Sequence, residues 1–567
     1  VKTEAQRPAG REGRVPLPAK EIAPHAALSL LTLATFARGV PYPLQGSWDD
    51  GRFIVDNRDV HEVSWRSLQS IFGAPHFQAY HPLHLLSYWL DVPWVGANAV
   101  VLHATSLLLW LVAANLVLLA LMQLGCSASA ALIAAAVCAL HPVQVEAVSW
   151  ATGRKDVLAM TFSCSCILLH ARSERASDRC AWLERLAYVF AVLSKTTALP
   201  LPAVLVLADV TLRKRPLRQA LAREVPSLLL GAGLSVYVVL LWQQEQMIRP
   251  SSGWLGRVVA TFGHQLGTAL WPSSTSPMYS TEAVALVSGS AVLASVALLV
   301  AGSLAVSGGA GRAVFSLGAF TLLMLPVSNA IAMYFPYQDR YLSLPLLGLC
   351  FGLAAALDAV PTRARRAALS LGAALVVVLG LRCWQYQGEW QSEVRLWGHA
   401  ASTQTDAYYA LMKLGEVRRR AGDLYGAIRA YQHLLQLDPK RTMGHAALLQ
   451  AVALRDEKLR RLAPSQAERY AREYYDALED PEALRELAAH LLQAGYLRTT
   501  ELPLAKAFAL QPVSDAVLEH AADVQFAEGR PSLGLFYLGQ MRRATQRADL
   551  RGLAEGARRQ LAAAPVL

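Results

Sequence analysis

Over residues 24–383 the chain alternates apolar runs with short polar turns, and after Trp384 no apolar run is long enough to cross a bilayer. A hydrocarbon core takes about 20 apolar residues per helix. Spans are therefore predicted near 24–43, 97–124, 127–141, 156–171, 180–194, 197–212, 225–244, 284–306, 313–335, 341–360 and 366–383. The stretch 258–271, VVATFGHQLGTALW, is short for a span and holds His264 and Gln265, so it reads as interfacial or re-entrant. The expected fold class is all-α: a tail 1–23, a polytopic domain of about eleven spans over 24–383 with a first external loop 44–96, and a helical domain over 384–567.

The C-terminal domain has a recognisable period. YALMKLGEVRRRAGDLYGAIRAYQHLLQLDP, from Tyr409 to Pro439, places Leu414, Gly415, Gly422, Ala427, Tyr431 and Pro439 at tetratricopeptide spacing. Gly495 and Gly529 are one repeat period apart, and Ala507 with Pro512 closes a repeat begun near Ala483, whereas 441–481 is degenerate. About four repeats are expected. Stacked, they make a concave surface suited to an extended polypeptide, or equally a stacking platform or dimer contact.

Composition agrees with a membrane protein: 54% of the 567 residues are hydrophobic and 17% charged. The net charge of +11 would point to nucleic acid in a soluble domain, but here the basic residues sit in turns and set orientation, which excludes that partner. Four clusters are assigned to the cytoplasm: Lys2, Arg7, Arg11, Arg14 and Lys20; Arg172, Arg175 and Arg179; Arg213, Lys214, Arg215 and Arg218; Arg363, Arg365 and Arg366. The N-terminus is then inside, while 44–96, 141–155, 194–197, 245–283, 336–340 and everything after 383 are outside. A secretory leader is the alternative for 24–43, but Arg38 interrupts the run and no A-x-A site follows. The seven cysteines form no CxxC pair or metal-spaced cluster and are assigned to packing.

Polar residues concentrate on the outer face. GSWDDGRFIVDN sets Asp49 beside Asp50, and YHPLHLLSYWLD (80–91), with His81 and His84, suits an amphipathic helix on the bilayer surface. HPVQVEAVSWATGRKD (141–156) gathers His141, Glu146, Arg154, Lys155 and Asp156 between two spans, and YFPYQDRYL (334–342) flanks Arg340 with aromatics. Singly, these are snorkelling anchors, belt aromatics and solvated charges. Together they need a reason, because Arg and Lys in short external turns run against the positive-inside rule. A phosphate supplies it. An enzyme using a lipid-phosphate sugar donor needs cations for the leaving phosphate, a carboxylate for the acceptor hydroxyl, and aromatics around lipid and sugar. Adjacent carboxylates repel, so one of Asp49 and Asp50 is expected to have a raised pKa.

The runs WDD and Asn57 in 48–57, YHPLHLLSYWLD, HPVQVEAVSWATGRKDVLAMTF (141–162), LSKTTALPLPAVLVLAD (193–209), ALWP (269–272) and LPVSNAIAMYFPYQDRYLSLP (325–345) resemble, in this order, bacterial relatives of the TMTC family. Animal members are polytopic, carry C-terminal tetratricopeptide repeats, and are regarded as protein O-mannosyltransferases using dolichyl-phosphate mannose. The resemblance implies a GT-C glycosyltransferase fold and a polyprenyl-phosphate-linked sugar as donor. It implies Asp49 and Asp50 as the catalytic acidic motif, Arg154, Lys155 and Arg340 at the donor phosphate, and His81, His84, His103, His141 and Glu146 in support. There are departures. In the second span only His103 is clear, with Trp110 near the other His position; Gln144 stands where His is frequent, and Thr196 replaces an acidic residue after Ser-Lys. The donor sugar is therefore not transferred.

The expected function is transfer of a sugar from polyprenyl phosphate to a hydroxyl, on protein Ser or Thr presented by the repeats, at the periplasmic face of the inner membrane. No cofactor or metal ligand is assigned, and two Asp residues beside a phosphate leave a divalent metal open. The rival is a non-catalytic scaffold that uses its repeats to assemble an envelope complex; it has no need of the external Asp, Arg and Lys. A transporter ranks third, because neither an internal repeat of spans nor charged helix interiors are evident in the sequence.

Overall fold

The computed structural model describes residues 19–77, 79–173, 179–244, 253–279, 309–332, 335, 337–403, 407–439, 443–445, 447–448, 450–451, 454, 506 and 515–527. Among these residues every regular element is a helix, and the only β pairing is an isolated bridge between His76 and Ala79. The chain divides into one unit of residues 1–277 and 284–392 and a second of 278–283 and 393–567.

Helices of the first unit start where the sequence offers caps. Asn98 accepts from the Val101 N–H to open Ala99–Gln123, and Ser127 accepts from Ala130 N–H to open Ala128–Leu140. The second of these buries Ala130, Ala131, Ala134, Ala135, Ala136 and Ala139. So small a face lets it pack against Ala99–Gln123, Leu346–Ala359 and Thr362–Gln387 together. Arg38 marks the end of the first helix, Ala19–Phe36: its guanidinium lies 4.1 Å from the Trp384 ring centroid and donates to the Tyr42 hydroxyl at 2.9 Å.

Among the described residues fewer helices are long and apolar enough to span than the about eleven expected. Among the described residues four helices are long and apolar enough to cross a membrane: Ala99–Gln123, Leu217–Gln244, Ala310–Val327 and Thr362–Gln391. Ala128–Leu140, Thr196–Thr211 and Leu346–Ala359 are apolar but short; thirteen residues rise only about 20 Å. Helices Arg154–Arg172 and Arg179–Ser194 occupy two further expected stretches, but the first carries Arg154, Lys155, Asp156 and Arg172 and the second is only 16 residues long. The expected span 284–306 lies outside the described residues. The sequence had also suggested no charged helix interiors, yet Glu184, Asp209, Arg223 and Glu224 are all buried. These side chains compensate one another across helices, so no single helix needs to be apolar throughout. The chain is a multi-pass membrane protein with polar residues inside its helical bundle.

In the second unit, Tyr408–Arg420 and Leu424–Leu437 form an antiparallel hairpin preceded by Glu393–Thr403, whose Trp397 meets Tyr409 edge-on at 5.9 Å. The turn uses Gly422 at φ 81°, and Asp423 caps the second helix by accepting from Gly426 N–H at 2.9 Å. Gly415 is where the helices touch: a Cβ there would stand 2.2 Å from Tyr431 Cε1. Gly415→Ala is therefore expected to destabilise this hairpin by about 1–3 kcal/mol, as overpacking does. Thermal unfolding with limited proteolysis across 408–437 measures it, and Tyr431→Leu in the same chain should restore part of the loss. The expected later repeats, including Ala483, Gly495, Ala507, Pro512 and Gly529, lie outside the described residues.

Candidate active site

A tight corner organises the polar residues of 141–156. Helix Gln144–Ser149 runs into the turn Ala151–Gly153 and then into Arg154–Arg172. A Cβ on Gly153 would fall 2.5 Å from the Ala147 carbonyl oxygen, so only glycine lets the chain fold back here. The corner sends Arg154 and Lys155 in different directions.

Lys155 faces a cavity of about 560 Å³. His81, Lys195, Thr196, Arg340 and Tyr341 line the same end, and the wall continues along Leu228 to Trp242 of helix Leu217–Gln244. Lys155 makes no hydrogen bond or ion pair among the described residues; its ammonium stands 5.0 Å from the Trp150 ring and 5.2 Å from Phe53. The Arg340 guanidinium is also 5.0 Å from Trp150. One indole thus serves both cations, and its electron-rich faces offset part of their mutual repulsion. Arg340 is held from behind by Glu146, which pairs with its guanidinium and accepts from its backbone N–H at 2.9 Å. Lys195 is held by Asp156.

His81 sits against these cations with its Nδ1 buried and unbonded. Burial, then the charges of Lys155 and Lys195, hold its pKa well below the usual imidazole range, so it presents a neutral ring.

The other predicted residues lie elsewhere. Arg154 is 0% exposed and spends its donors on Asp91 Oδ2 at 2.6 Å, the Ser87 carbonyl at 3.2 Å, Ser106 Oγ at 3.1 Å and the Leu102 carbonyl at 2.9 Å. It braces the segment 44–96 against helix Ala99–Gln123 and does not line the cavity. Asp50 is likewise buried, accepting from Gln45 N–H at 2.7 Å, Thr152 N–H at 2.9 Å and Thr152 Oγ at 2.6 Å. Burial pushes its carboxyl up to about 6, and the hydrogen bonds from Thr152 and Gln45 pull the other way. The expected like-charge repulsion from Asp49 is the smallest of these causes. Asp49 is half-buried, and its charge acts on both Lys155 and Arg340.

His84, expected on a surface helix, is buried beneath it with Leu85 and Tyr88. Tyr88 gives its proton to the Ala151 carbonyl at 3.0 Å, so His84 Nε2 is the donor in their 2.8 Å bond. His141 joins the Ala269 carbonyl at 3.1 Å and accepts from Val143 N–H at 3.4 Å, and burial takes its pKa down to about 4. His103 is buried in its helix, away from the cavity. Lys195 was not among the predicted site residues. The signal was present: it is a lysine in a short turn that the sequence places outside, the same anomaly that singled out Lys155.

No family model matches the chain. Over 155 residues, 26% of this chain, it is 25% identical to Protein O-mannosyl-transferase TMTC3 of Mus musculus, of which the match spans 16%. The chain is similar to a TMTC protein. Among solved structures, ArnT from Cupriavidus metallidurans bound to undecaprenyl phosphate aligns over 89% of this chain and 81% of its own, at 13% identity and a TM-score of 0.38. The TPR domain of P58(IPK) aligns over 67% of this chain and 93% of its own, at 11% identity and a TM-score of 0.15.

Proposed function

We propose that the chain is a membrane glycosyltransferase that takes its sugar from a polyprenyl-phosphate donor. The observation that carries this reading is the shape of the cavity: Lys155, Lys195 and Arg340 gather at one end, and an apolar wall follows Leu228 to Trp242 down a membrane-spanning helix. Fourteen residues of helix rise about 21 Å, enough to lay several isoprene units along the wall while the cations meet the phosphate. The similarity to TMTC3 supports the same class, with the sugar placed on a protein hydroxyl.

In this reading the acceptor hydroxyl attacks the sugar C1 as the bond from C1 to the phosphate oxygen breaks. Polyprenyl phosphate leaves with the bonding electrons and is matched by the three cations. Asp49, beside Lys155 and Arg340, takes the hydroxyl proton; Asp50 and Arg154 hold the loop that carries it. The site faces the periplasm of the inner membrane, and the repeats, on the same side, present the protein acceptor.

The test is transfer of labelled sugar from polyprenyl phosphate by membranes with matched protein levels. Each cation's charge-assisted bond to phosphate is worth about 1.5–3 kcal/mol, so Lys155→Gln and Lys195→Gln should each weaken donor use by about 10- to 100-fold. Wild-type donor dependence in both variants would remove the phosphate from this cavity.

A further inference from the structure

A second polar cluster lies at the opposite end of the helix that carries Lys155. Lys155 and His170 are fifteen residues apart on Arg154–Arg172, a separation of about 22 Å. Around His170 are Glu184 of helix Arg179–Ser194, Asp209 of Leu201–Thr211, and Glu224 of Leu217–Gln244. All four are within 2% of full burial.

The atoms converge in a specific way. His170 Nε2 is 3.2 Å from Asp209 Oδ1, so in the neutral ring the proton on Nε2 is donated there and Nδ1 keeps a lone pair. That lone pair points at Glu184 Oε2, 3.2 Å away, and Glu224 Oε1, 3.4 Å away. Three electron-rich atoms facing one another need a positive charge between them, a proton or a metal ion. Ligand atoms 2.0–2.2 Å from a tetrahedral zinc stand about 3.3–3.5 Å apart, close to the two distances from Nδ1. An imidazole whose far nitrogen donates to a carboxylate is also the usual outer support of a metal-bound histidine.

Glu224 supplies an independent sign. It is 1% exposed, and neither of its carboxylate oxygens has a hydrogen-bond partner. A proton on His170 Nδ1 answers one oxygen and leaves the other unmet, whereas a divalent ion takes the carboxylate as a whole. Three buried carboxylates face one buried guanidinium, Arg223, which donates to Glu184 Oε2 at 3.0 Å and lies 3.5 Å from Glu224 Oε1. Arg213 and Arg215 reach Asp209 from positions 26% and 28% exposed to solvent.

We propose that His170, Glu184 and Glu224 bind a divalent transition metal of the zinc type, with Asp209 orienting His170. The ion ties three helices together far from the cavity, so its role is structural.

The full-length chain is purified in detergent, stripped with chelator and titrated with Co²⁺, then with Zn²⁺. Wild type should take up about one Co²⁺ per chain, with the intense visible absorption of a low-coordinate site and proton release on binding. Zn²⁺ should displace it and raise the unfolding temperature. Glu224→Gln, close to isosteric, should abolish saturable uptake, and Asp209→Asn should weaken it by about 10- to 100-fold. Asp49→Asn should leave it intact. Absence of saturable Co²⁺ uptake by the wild type overturns the proposal without needing any variant. Unchanged uptake by Glu224→Gln overturns it as well, and the cluster is then an ion-pair network around a protonated histidine. None of these readouts depends on sugar transfer.

Discussion

Asp49→Asn should lower sugar transfer by about 10²–10⁴-fold while leaving the protein folded, the usual cost of losing a general base. The substitution keeps the size of the side chain and removes only the charge that takes the hydroxyl proton. Asp49 is half-buried and its charge is felt by Lys155 and Arg340, the two cations that meet the donor phosphate in the proposed reading. The matched variant Asp50→Asn should behave differently. Asp50 accepts from the Gln45 N–H, the Thr152 N–H and the Thr152 hydroxyl. An amide in its place turns one of its two oxygens into a donor facing another donor. That loss falls on the loop, so Asp50→Asn should lower the unfolding temperature and carry activity down with it. Rates measured at equal folded protein separate the two. If Asp49→Asn transfers sugar at the wild-type rate, Asp49 is a solvated loop charge and the catalytic reading fails.

Arg154→Met should destabilise the membrane unit by about 3–5 kcal/mol, the cost of removing one partner of a buried ion pair. The remaining partner, Asp91, is 4% exposed and would keep only the 2.7 Å bond from Thr105 Oγ1. The Ser87 and Leu102 carbonyls and the Ser106 hydroxyl would lose their bonds to the guanidinium at the same time. Adding Asp91→Leu should return much of the stability, because a pair replaced by apolar groups is often close to neutral. A double-mutant cycle on thermal unfolding in detergent measures the coupling. A single Arg154→Met variant as stable as wild type but defective in donor binding would instead put the guanidinium on the phosphate, as the sequence had suggested.

Much was determined by the sequence alone, where local chemistry or period carries the information. The helical hairpin 408–437 follows from Gly415, Gly422, Ala427 and Tyr431, since a missing Cβ and a left-handed turn are properties of single residues. The long apolar helices follow from hydropathy, which is additive along a chain. Lys155 and Arg340 were marked by cations standing in external turns, a conflict visible without coordinates.

What only tertiary structure decided is which of several like residues meets open space. Arg154 and Lys155 are neighbours, yet the rotation of about 100° per residue at the helix start sends the first to Asp91 and the second to the cavity. Asp49 and Asp50 are divided the same way by Thr152, about a hundred positions along the chain. The span count and the His170 cluster share this origin. Glu184, Asp209 and Glu224 look costly in any one helix and become stable only when neighbouring helices bring His170 and Arg223 to them. Burial and pairing are sums over the groups that fold around a residue, and those groups are set by contacts between distant segments rather than by the residue's neighbours in sequence.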